Sequence, residues 1–245
     1  KFNKFVGSSA GSILACALAC GYNPDEIDEL IINTDFTKFQ DDKTGCFRDT
    51  TRIFKKYGLY PGEYLQEWMD DIVKNKLHKS NATFKDLFEK TGKRLYVTAL
   101  CVDEDKTAVF CVDSNPDMPI ALAVRMSSAI PLLFCPVKYN GKYYVDGGIS
   151  DNYPIHTFDG DKDENGDKKA NNKTVGIKLM GSEEKRDDII YNSPMSTTSI
   201  FKFSMSIMEH MFNEIERLQV NKGYWERTIS VNTGNIKTTE FDITK

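Results

Sequence analysis

The first forty residues alternate between short apolar runs and polar turns. Residues 2–6 predict a short β-strand, and the Ala- and Leu-rich residues 12–20 predict a buried helix that a glycine ends. Between them, the small residues of Gly7-Ser8-Ser9-Ala10-Gly11 predict a tight strand-to-helix turn. A second helix is predicted over residues 27–32, because Asn23-Pro24-Asp25-Glu26 supplies a cap, a proline at the first helical position and two acids in the first turn.

A longer amphipathic helix is predicted after Pro61. Its apolar side chains recur at helical spacing and form one face: Tyr64, Leu65, Trp68, Ile72 and Val73. Thr83 and Asp86 have the spacing of a capping box, which predicts another helix start before Phe84. Residues 119–128 also predict a helix.

β-Rich runs occur mainly in the second half of the chain. Their ranges are 95–102, 108–112, 137–139, 143–145, 175–179 and 228–231. The first two flank a charged turn, and the next two flank Asn140-Gly141, which is a strong hairpin signal. Because helices and strands alternate along the chain, the sequence predicts a layered α/β domain.

The length of 245 residues suits one large α/β domain, and we expect a single domain over residues 1–245. Residues 159–172 contain almost no apolar side chain and predict an exposed loop. Residues 161–167 resemble the first half of an EF-hand calcium loop, but Asn172 stands where a bidentate acid is required. A solvated insertion is therefore favoured over an ion site.

The charges are nearly balanced, with 32 Lys+Arg against 36 Asp+Glu, and no nucleic-acid partner is expected from them. No run approaches the ~18 consecutive apolar residues of a transmembrane helix, and no signal peptide is visible. The 6 cysteines lack CxxC spacing and lie mostly in apolar runs, which is typical of buried thiols in a reducing compartment. We expect a cytoplasmic or peripheral membrane location.

The glycine and serine spacing of Gly7-x-Ser9-x-Gly11 is that of a nucleophile elbow. A serine held on such a strained turn needs neighbours without side chains, which gives Gly7 and Gly11 a mechanical purpose. Ser9 would stand at a helix N-terminus, where the Ala10 N–H and the helix dipole can stabilise an oxyanion. The alternative is a packing turn made of small residues.

Asp146-Gly147-Gly148 is the second candidate for chemistry. It ends the predicted second hairpin and places a carboxylate on a turn, followed by the flexible Gly147 and Gly148. Alone, this pattern is typical of an ordinary hairpin end. Together with the elbow and the intervening segment 124–131, it makes Asp146 a candidate catalytic base.

Three segments, in their order and spacing, resemble the patatin-like phospholipase family. They are Val6 to Ser12, Ala123 to Pro131 with Phe134, and Tyr144 to Gly148 continuing to Asp151-Asn152-Tyr153-Pro154. The resemblance implies a three-layer α/β/α sandwich with a central, mostly parallel sheet. It also implies a catalytic dyad at Ser9 and Asp146, no cofactor or metal, and cleavage of fatty-acyl esters such as phospholipids.

One departure concerns the oxyanion hole. The family has a glycine-rich loop upstream of the elbow, and the sequence begins too late to contain one, so we expect a fragment of a longer protein. If the loop were truly lost, one missing donor would cost about 3 to 4 kcal/mol of transition-state stabilisation.

The expected activity is phospholipase A or lysophospholipase chemistry through an acyl-enzyme, at a membrane surface but without a transmembrane segment. A triad through His156 or His210 remains formally possible from the order of residues, although His156 follows Asp146 closely in sequence. Two other functions stay open. One is a catalytically silent, lipid-binding protein with this fold, and the other is an esterase for short soluble esters.

Overall fold

The computed structural model describes most of the N-terminal part of the chain and shorter parts of the rest. The described residues are 2–40, 55–160, 169–181, 207–208, 210–211, 215 and 222–234. Contacts within the chain divide it into two compact units, Lys1–Asn152 (unit 1) and Tyr153–Lys245 (unit 2). The single domain over residues 1–245 stays a prediction.

Unit 1 contains a five-stranded sheet in which one strand, Arg94–Cys101, pairs with three others. Its strands are β1 (Lys4–Gly7), β3 (Arg94–Cys101), β4 (Lys106–Cys111), β6 (Val137–Tyr139) and β7 (Lys142–Asp146). β1 runs parallel to the first half of β3, and β7 runs antiparallel to its second half. Elsewhere in unit 1, β2 (Gly58–Tyr60) pairs in parallel with β5 (Leu132–Phe134).

Several helices of unit 1 begin or end at signals that are visible in the local sequence. Those that the structure describes are α1 (Ala10–Cys20), α2 (Pro24–Asn33), α3 (Glu63–Leu77), α4 (Phe84–Thr91), α5 (Ile120–Ser127) and α6 (Gly148–Asp151). The predicted capping at Asn23 and at Thr83 is confirmed, since both side chains form complete capping boxes.

The core of unit 1 lies around β3 and α5. Leu95, Val97, Ala99 and Cys101 are all buried on one face of β3, and Thr98 on the opposite face is fully buried as well. Both faces of the strand centre are therefore covered. All residues of α5 but one are buried, and this helix contacts β3, β7, α1 and α3. It is thus held from several sides.

The predicted α/β class is confirmed, with one correction to the sheet. A mostly parallel sheet was expected, whereas the described sheet of unit 1 is mixed: β1 with β3 is parallel, but β3 with β4, β3 with β7 and β6 with β7 are antiparallel. The short connections from β3 to β4 and from β6 to β7 explain two of these antiparallel pairs, because a tight turn joins only antiparallel neighbours.

Unit 2 is described in part. β8 (Gly176–Gly181) pairs in parallel with β9 (Thr228–Gly234), which follows the short helix α7 (Lys222–Trp225). These strands lie where the sequence predicted them.

The predicted exposed loop at residues 159–172 is anchored at its first residue. Residues 161–168 lie outside the described residues, and Gly160, Lys169 and Ala170 are exposed as expected. The Asp159 side chain, however, is 1% exposed and accepts two hydrogen bonds of 2.5 Å from the Arg227 guanidinium. The expectation of exposure is therefore wrong for Asp159.

The expectations about transmembrane segments and about the cysteines can be compared with the described residues. Every helix in that part of the chain is too short or too polar to cross a membrane. Five of the described cysteines are free thiols. Cys135 is half-buried, and the other four are buried: Cys16, Cys20, Cys101 and Cys111. Their burial agrees with the thiols expected from the sequence.

Candidate active site

The turn between β1 and α1, residues 7–11, bends sharply at Ser9, and we call it the nucleophile turn. Ser9 is the N-cap of α1 and has φ 51° and ψ −130°. Residues other than glycine rarely adopt such angles, which cost about 1–3 kcal/mol. Two backbone hydrogen bonds of 2.8 Å close the turn, from Gly11 N–H to Ser8 O and from Ser12 N–H to Ser9 O. A strained serine at a helix start is the arrangement of a nucleophile elbow.

The two glycines of the nucleophile turn have different surroundings. A Cβ atom at Gly7 would lie 2.2 Å from the carbonyl oxygen of Gly11, so no side chain fits there. A Cβ atom at Gly11 would meet nothing within 4 Å. The expected steric need for glycine is therefore found at Gly7, whereas for Gly11 the expectation was wrong.

The second half of the site is Asp146-Gly147-Gly148, which we call the base turn. Oδ1 of Asp146 accepts the Gly148 N–H at 2.7 Å, and the Asp146 N–H donates to the Ala129 carbonyl at 2.9 Å. A Cβ atom at Gly147 would lie 2.5 Å from the Thr98 carbonyl oxygen. Glycine at position 147 thus lets the base turn lie directly against β3.

The strand register on β3 brings the two turns together. β1 ends with Gly7 opposite Val97, and β7 ends with Asp146 opposite Ala99. Both strands use the same edge of β3, because β4 occupies the other edge, and they run in opposite directions. Their C-terminal ends therefore converge. Ser9 Oγ donates a hydrogen bond of 2.6 Å to Oδ2 of Asp146, although the residues are 137 positions apart in sequence.

Burial sets the protonation behaviour of Asp146. The residue is 0% exposed, and desolvation raises its pKa from 3.8 to about 7, while the hydrogen bonds from Ser9 and Gly148 act to lower it. Ser9 is only half-buried. The rise of about three units makes Asp146 a stronger base than an ordinary aspartate by about 4 kcal/mol, and this is suited to accepting a proton near neutral pH.

Two backbone N–H groups of the nucleophile turn have different surroundings. The Ser9 N–H donates to Oγ of Ser127 at 2.9 Å. The Ala10 N–H, the first of α1, makes no hydrogen bond within the part of the chain that the structure describes, and Ala10 is exposed. An N–H at this end of a helix also benefits from the helix dipole. It is therefore available to a developing negative charge beside Ser9.

The contact of Ser127 with Ser9 was not expected from the sequence. It joins residues 118 positions apart, and no local pattern distinguishes Ser127 from Ser128 beside it. The only signal was the position of Ser127 inside segment 123–131, one of the three segments that carry the family resemblance.

A carboxylate, not a histidine, accepts the hydrogen bond from the Ser9 hydroxyl. His78 and His210 are exposed, and His156 stacks on Tyr224 within unit 2, with ring centroids 6.4 Å apart. Among the described residues, no group of three or more His, Cys, Asp or Glu side chains could hold a metal ion. The EF-hand-like residues 161–167 lie outside the described residues.

Comparisons with known sequences identify a family and several relatives. A model of the family described as patatin-like phospholipase matches residues 1–159. A probable lipid hydrolase of Invertebrate iridescent virus 6 is 35% identical over 156 residues, which are 63% of this chain and 52% of the viral protein. An uncharacterized protein of Acanthamoeba polyphaga mimivirus is 29% identical over 225 residues, which are 92% of this chain and 70% of that protein.

Among solved structures, part of VipD from Legionella pneumophila is similar to most of this chain. The TM-score is 0.54 at 19% sequence identity, and the match covers 97% of this chain and 57% of VipD. At this identity the similarity concerns the fold alone. The chain spans little more than half the length of VipD and of the iridescent virus protein.

Proposed function

Since this chain belongs to the patatin-like phospholipase family, we propose that it hydrolyses fatty-acyl esters of lipids, with Ser9 as nucleophile and Asp146 as general base. Family membership and the similarity to a probable lipid hydrolase support lipid ester hydrolysis. The dyad rests on one observation above all: the Ser9 hydroxyl donates at 2.6 Å to a buried carboxylate whose pKa is raised to about 7.

In the acylation step, Ser9 Oγ attacks the carbonyl carbon of the ester while its proton passes to Oδ2 of Asp146. The negative charge that develops on the carbonyl oxygen is stabilised by the Ala10 N–H at the start of α1. When the tetrahedral intermediate collapses, the C–O bond to the alcohol breaks, and Asp146 returns the proton to the leaving oxygen. The products are the free alcohol and an acyl group esterified to Ser9.

Deacylation repeats these transfers with water. Asp146 takes one proton from water as the oxygen attacks the acyl carbon, and the same proton then returns to Ser9 Oγ as the acyl bond breaks. A fatty acid leaves, and both side chains regain their starting states. Because one carboxylate serves as base and acid in turn, a pKa near neutral pH suits both half-reactions.

The surface beside Ser9 supports a lipid substrate. Ala10 and Gly11 are exposed, and Leu14, one helical turn after Ala10, is 37% exposed. α1 contains no charged residue at all. An acyl chain could therefore approach Ser9 along α1 without contact with a charged side chain of that helix. We accordingly propose phospholipase A or lysophospholipase chemistry on substrates at a membrane surface.

The test is release of fatty acid from mixed phospholipid vesicles, with calcium chelated, by the full-length protein and three variants. Ser9→Ala and Asp146→Asn should each lower the rate by about a thousandfold or more, as loss of a catalytic group does elsewhere. Ser128→Ala is the matched control, because the Ser128 hydroxyl lies outside both turns, is buried and makes no hydrogen bond within the described residues.

Three results would overturn the proposal. A parent protein without activity would point instead to a silent lipid-binding protein. Retention of activity in Ser9→Ala would exclude this nucleophile. Hydrolysis of short soluble esters, with no turnover of vesicles or micelles, would exclude a lipid substrate and leave a soluble esterase.

A further inference from the structure

We propose that Ser127 is a positioning residue, which holds the nucleophile turn and the base turn in the alignment that the proton transfer requires. The proposal rests on the Ser9–Asp146 dyad of the proposed function and adds a residue that does not itself touch the reacting atoms. Its role is to fix the geometry of two turns that are far apart in sequence.

Ser127 contacts both turns through different atoms. Its side-chain Oγ accepts the Ser9 N–H at 2.9 Å, and its carbonyl oxygen accepts the Gly147 N–H at 3.2 Å. The residue is 0% exposed, so water does not compete for these bonds. One residue therefore connects the nucleophile turn with the base turn.

The helix that carries Ser127 is closely packed on several sides. It is the last residue of α5, a helix that is almost wholly buried and that contacts both β3 and β7. Two residues further on, the Ala129 carbonyl accepts the Asp146 N–H at 2.9 Å. The end of α5 thus fixes the base turn at two points and the nucleophile turn at one.

The hydrogen bond to Ser9 matters because of the backbone strain at that residue. With φ at 51°, Ser9 is not in a conformation that it would keep without restraint. An acceptor for its N–H fixes the peptide plane between Ser8 and Ser9, and with it the direction in which Oγ points. A loss of this bond should lengthen the contact between Ser9 Oγ and Asp146. Catalytic rates are sensitive to such displacements, so the rate should fall.

The neighbouring Ser128 offers a matched control. It is also buried, at 7% exposure, but its hydroxyl makes no hydrogen bond within the part of the chain that the structure describes. Ser127→Ala and Ser128→Ala therefore remove the same atom from adjacent buried positions. Only the first removes an acceptor from the nucleophile turn.

The experiment uses the full-length protein and a soluble p-nitrophenyl ester, for which kcat and KM can be separated. Ser127→Ala should lower kcat about tenfold, the factor that corresponds to one lost hydrogen bond, with KM little changed. The pH of half-maximal kcat on the acidic side should rise, because the Ser9 hydrogen bond helps to lower the pKa of Asp146. Ser128→Ala should change neither quantity.

A third variant separates hydrogen bonding from packing. Ser127→Cys keeps nearly the same volume but offers sulfur, which is a weak acceptor. We expect its kcat to lie between those of the parent and Ser127→Ala. A kcat equal to that of the parent would assign a packing role to Ser127 and overturn the proposal. Failure of both Ser127 variants to fold, with Ser128→Ala folded, would also overturn it, by making Ser127 a determinant of folding.

The remaining outcomes separate this proposal from the proposed function. If Ser127→Ala matches Ser128→Ala in kcat and in pH profile while Ser9→Ala is inactive, the positioning role is wrong and the dyad stands. If Ser9→Ala is active in the same assay, the dyad itself is wrong, and the positioning role falls with it.

Discussion

The nucleophile turn and the base turn end two strands on the same edge of β3, yet their energetic costs differ in kind. At the nucleophile turn the cost is conformational: Ser9 has a φ of 51°, and its side chain remains half-exposed. At the base turn the backbone is relaxed, with Gly147 at φ −66°, and the cost is electrostatic, because Asp146 is 0% exposed. One turn stores backbone strain and the other buries an ionisable group.

The difference fits the two roles that we propose for Ser9 and Asp146. A nucleophile must be reached by a substrate, so it cannot be buried, and a strained turn lifts it to the end of the sheet. A carboxylate base gains a pKa near neutral pH when it is desolvated, and the burial of Asp146 provides that desolvation. The hydrogen bond between Ser9 and Asp146 joins these two environments.

The largest effect should come from filling the space that both turns need. Gly7→Ala and Gly147→Ala each place a Cβ within 2.5 Å of backbone atoms, at 2.2 Å and 2.5 Å respectively. Because a backbone contact cannot be relieved by a rotamer change, we expect a loss of about 3 kcal/mol or more in unfolding free energy. Esterase activity should fall by about a hundredfold or more. Urea unfolding and an ester assay measure the two quantities.

Gly11→Ala is the control for this pair. Its Cβ would meet nothing within 4 Å, and alanine is favoured over glycine in a helix by about 0.5–1 kcal/mol. The variant should be as stable as the parent or slightly more so. Equal destabilisation by Gly7→Ala and Gly11→Ala would contradict the packing described for the nucleophile turn.

The next effect tests the buried charge. The raised pKa of Asp146, about 7, means that the folded protein holds the neutral acid at pH 5 and the ion at pH 8, whereas the unfolded chain ionises near pH 3.8. The folded state thus binds the extra proton between these values, and this residue makes stability fall as the pH rises from about 4 through 7. Between pH 5 and pH 8 this cost grows by about 2–3 kcal/mol.

Asp146→Asn removes that ionisation while nearly keeping the shape of the side chain. Compared with the parent, the variant should be more stable at pH 8, and by a smaller margin at pH 5, where only part of the ionisation cost has developed. Urea unfolding at both pH values measures the two differences. If the difference in unfolding free energy between the variant and the parent were the same at pH 5 and at pH 8, Asp146 would not be a buried group with a raised pKa.

A smaller effect tests the strain at the nucleophile turn. Ser9→Gly and Ser9→Ala both remove the hydroxyl, but only glycine adopts positive φ without steric cost. We expect Ser9→Gly to be more stable than Ser9→Ala by about 1–3 kcal/mol, at pH 5 and pH 8 alike. If urea unfolding gave equal stabilities for Ser9→Gly and Ser9→Ala, the backbone at Ser9 would not be strained. A difference that depends on pH would assign the cost to charge instead.

Local signals in the sequence predicted much of unit 1. The hairpin at Asn140-Gly141 and the capping boxes at Asn23 and Thr83 depend on residues a few positions apart, and each is present in the structure. The nucleophile turn was located for the same reason, because its strand, turn and helix lie within twenty residues.

Features that depend on contacts between residues far apart in the chain could not be predicted from the sequence. The contact from Ser127 to Ser9 and the burial of Asp159 by Arg227 join residues that no local pattern connects. The glycine spacing of the nucleophile turn did not show that position 11 is open, because the space there depends on three-dimensional packing. The mixed sheet was missed because the expectation came from the family resemblance rather than from the two short hairpins.

The most direct test of the account is the rate at which a fluorophosphonate reacts with Ser9, measured against pH in the parent and in Asp146→Asn. Ser9 Oγ forms a bond to phosphorus while its proton passes to Asp146 and the P–F bond breaks to release fluoride, so the reaction reports on the dyad without a lipid substrate. Mass spectrometry of the digested protein identifies the modified residue. We expect the parent to be labelled at Ser9, with a rate that rises through a midpoint at about pH 7. We expect Asp146→Asn to react far more slowly, without that midpoint. Labelling at another residue, or the same pH curve in both proteins, would contradict the claim that Asp146 activates Ser9.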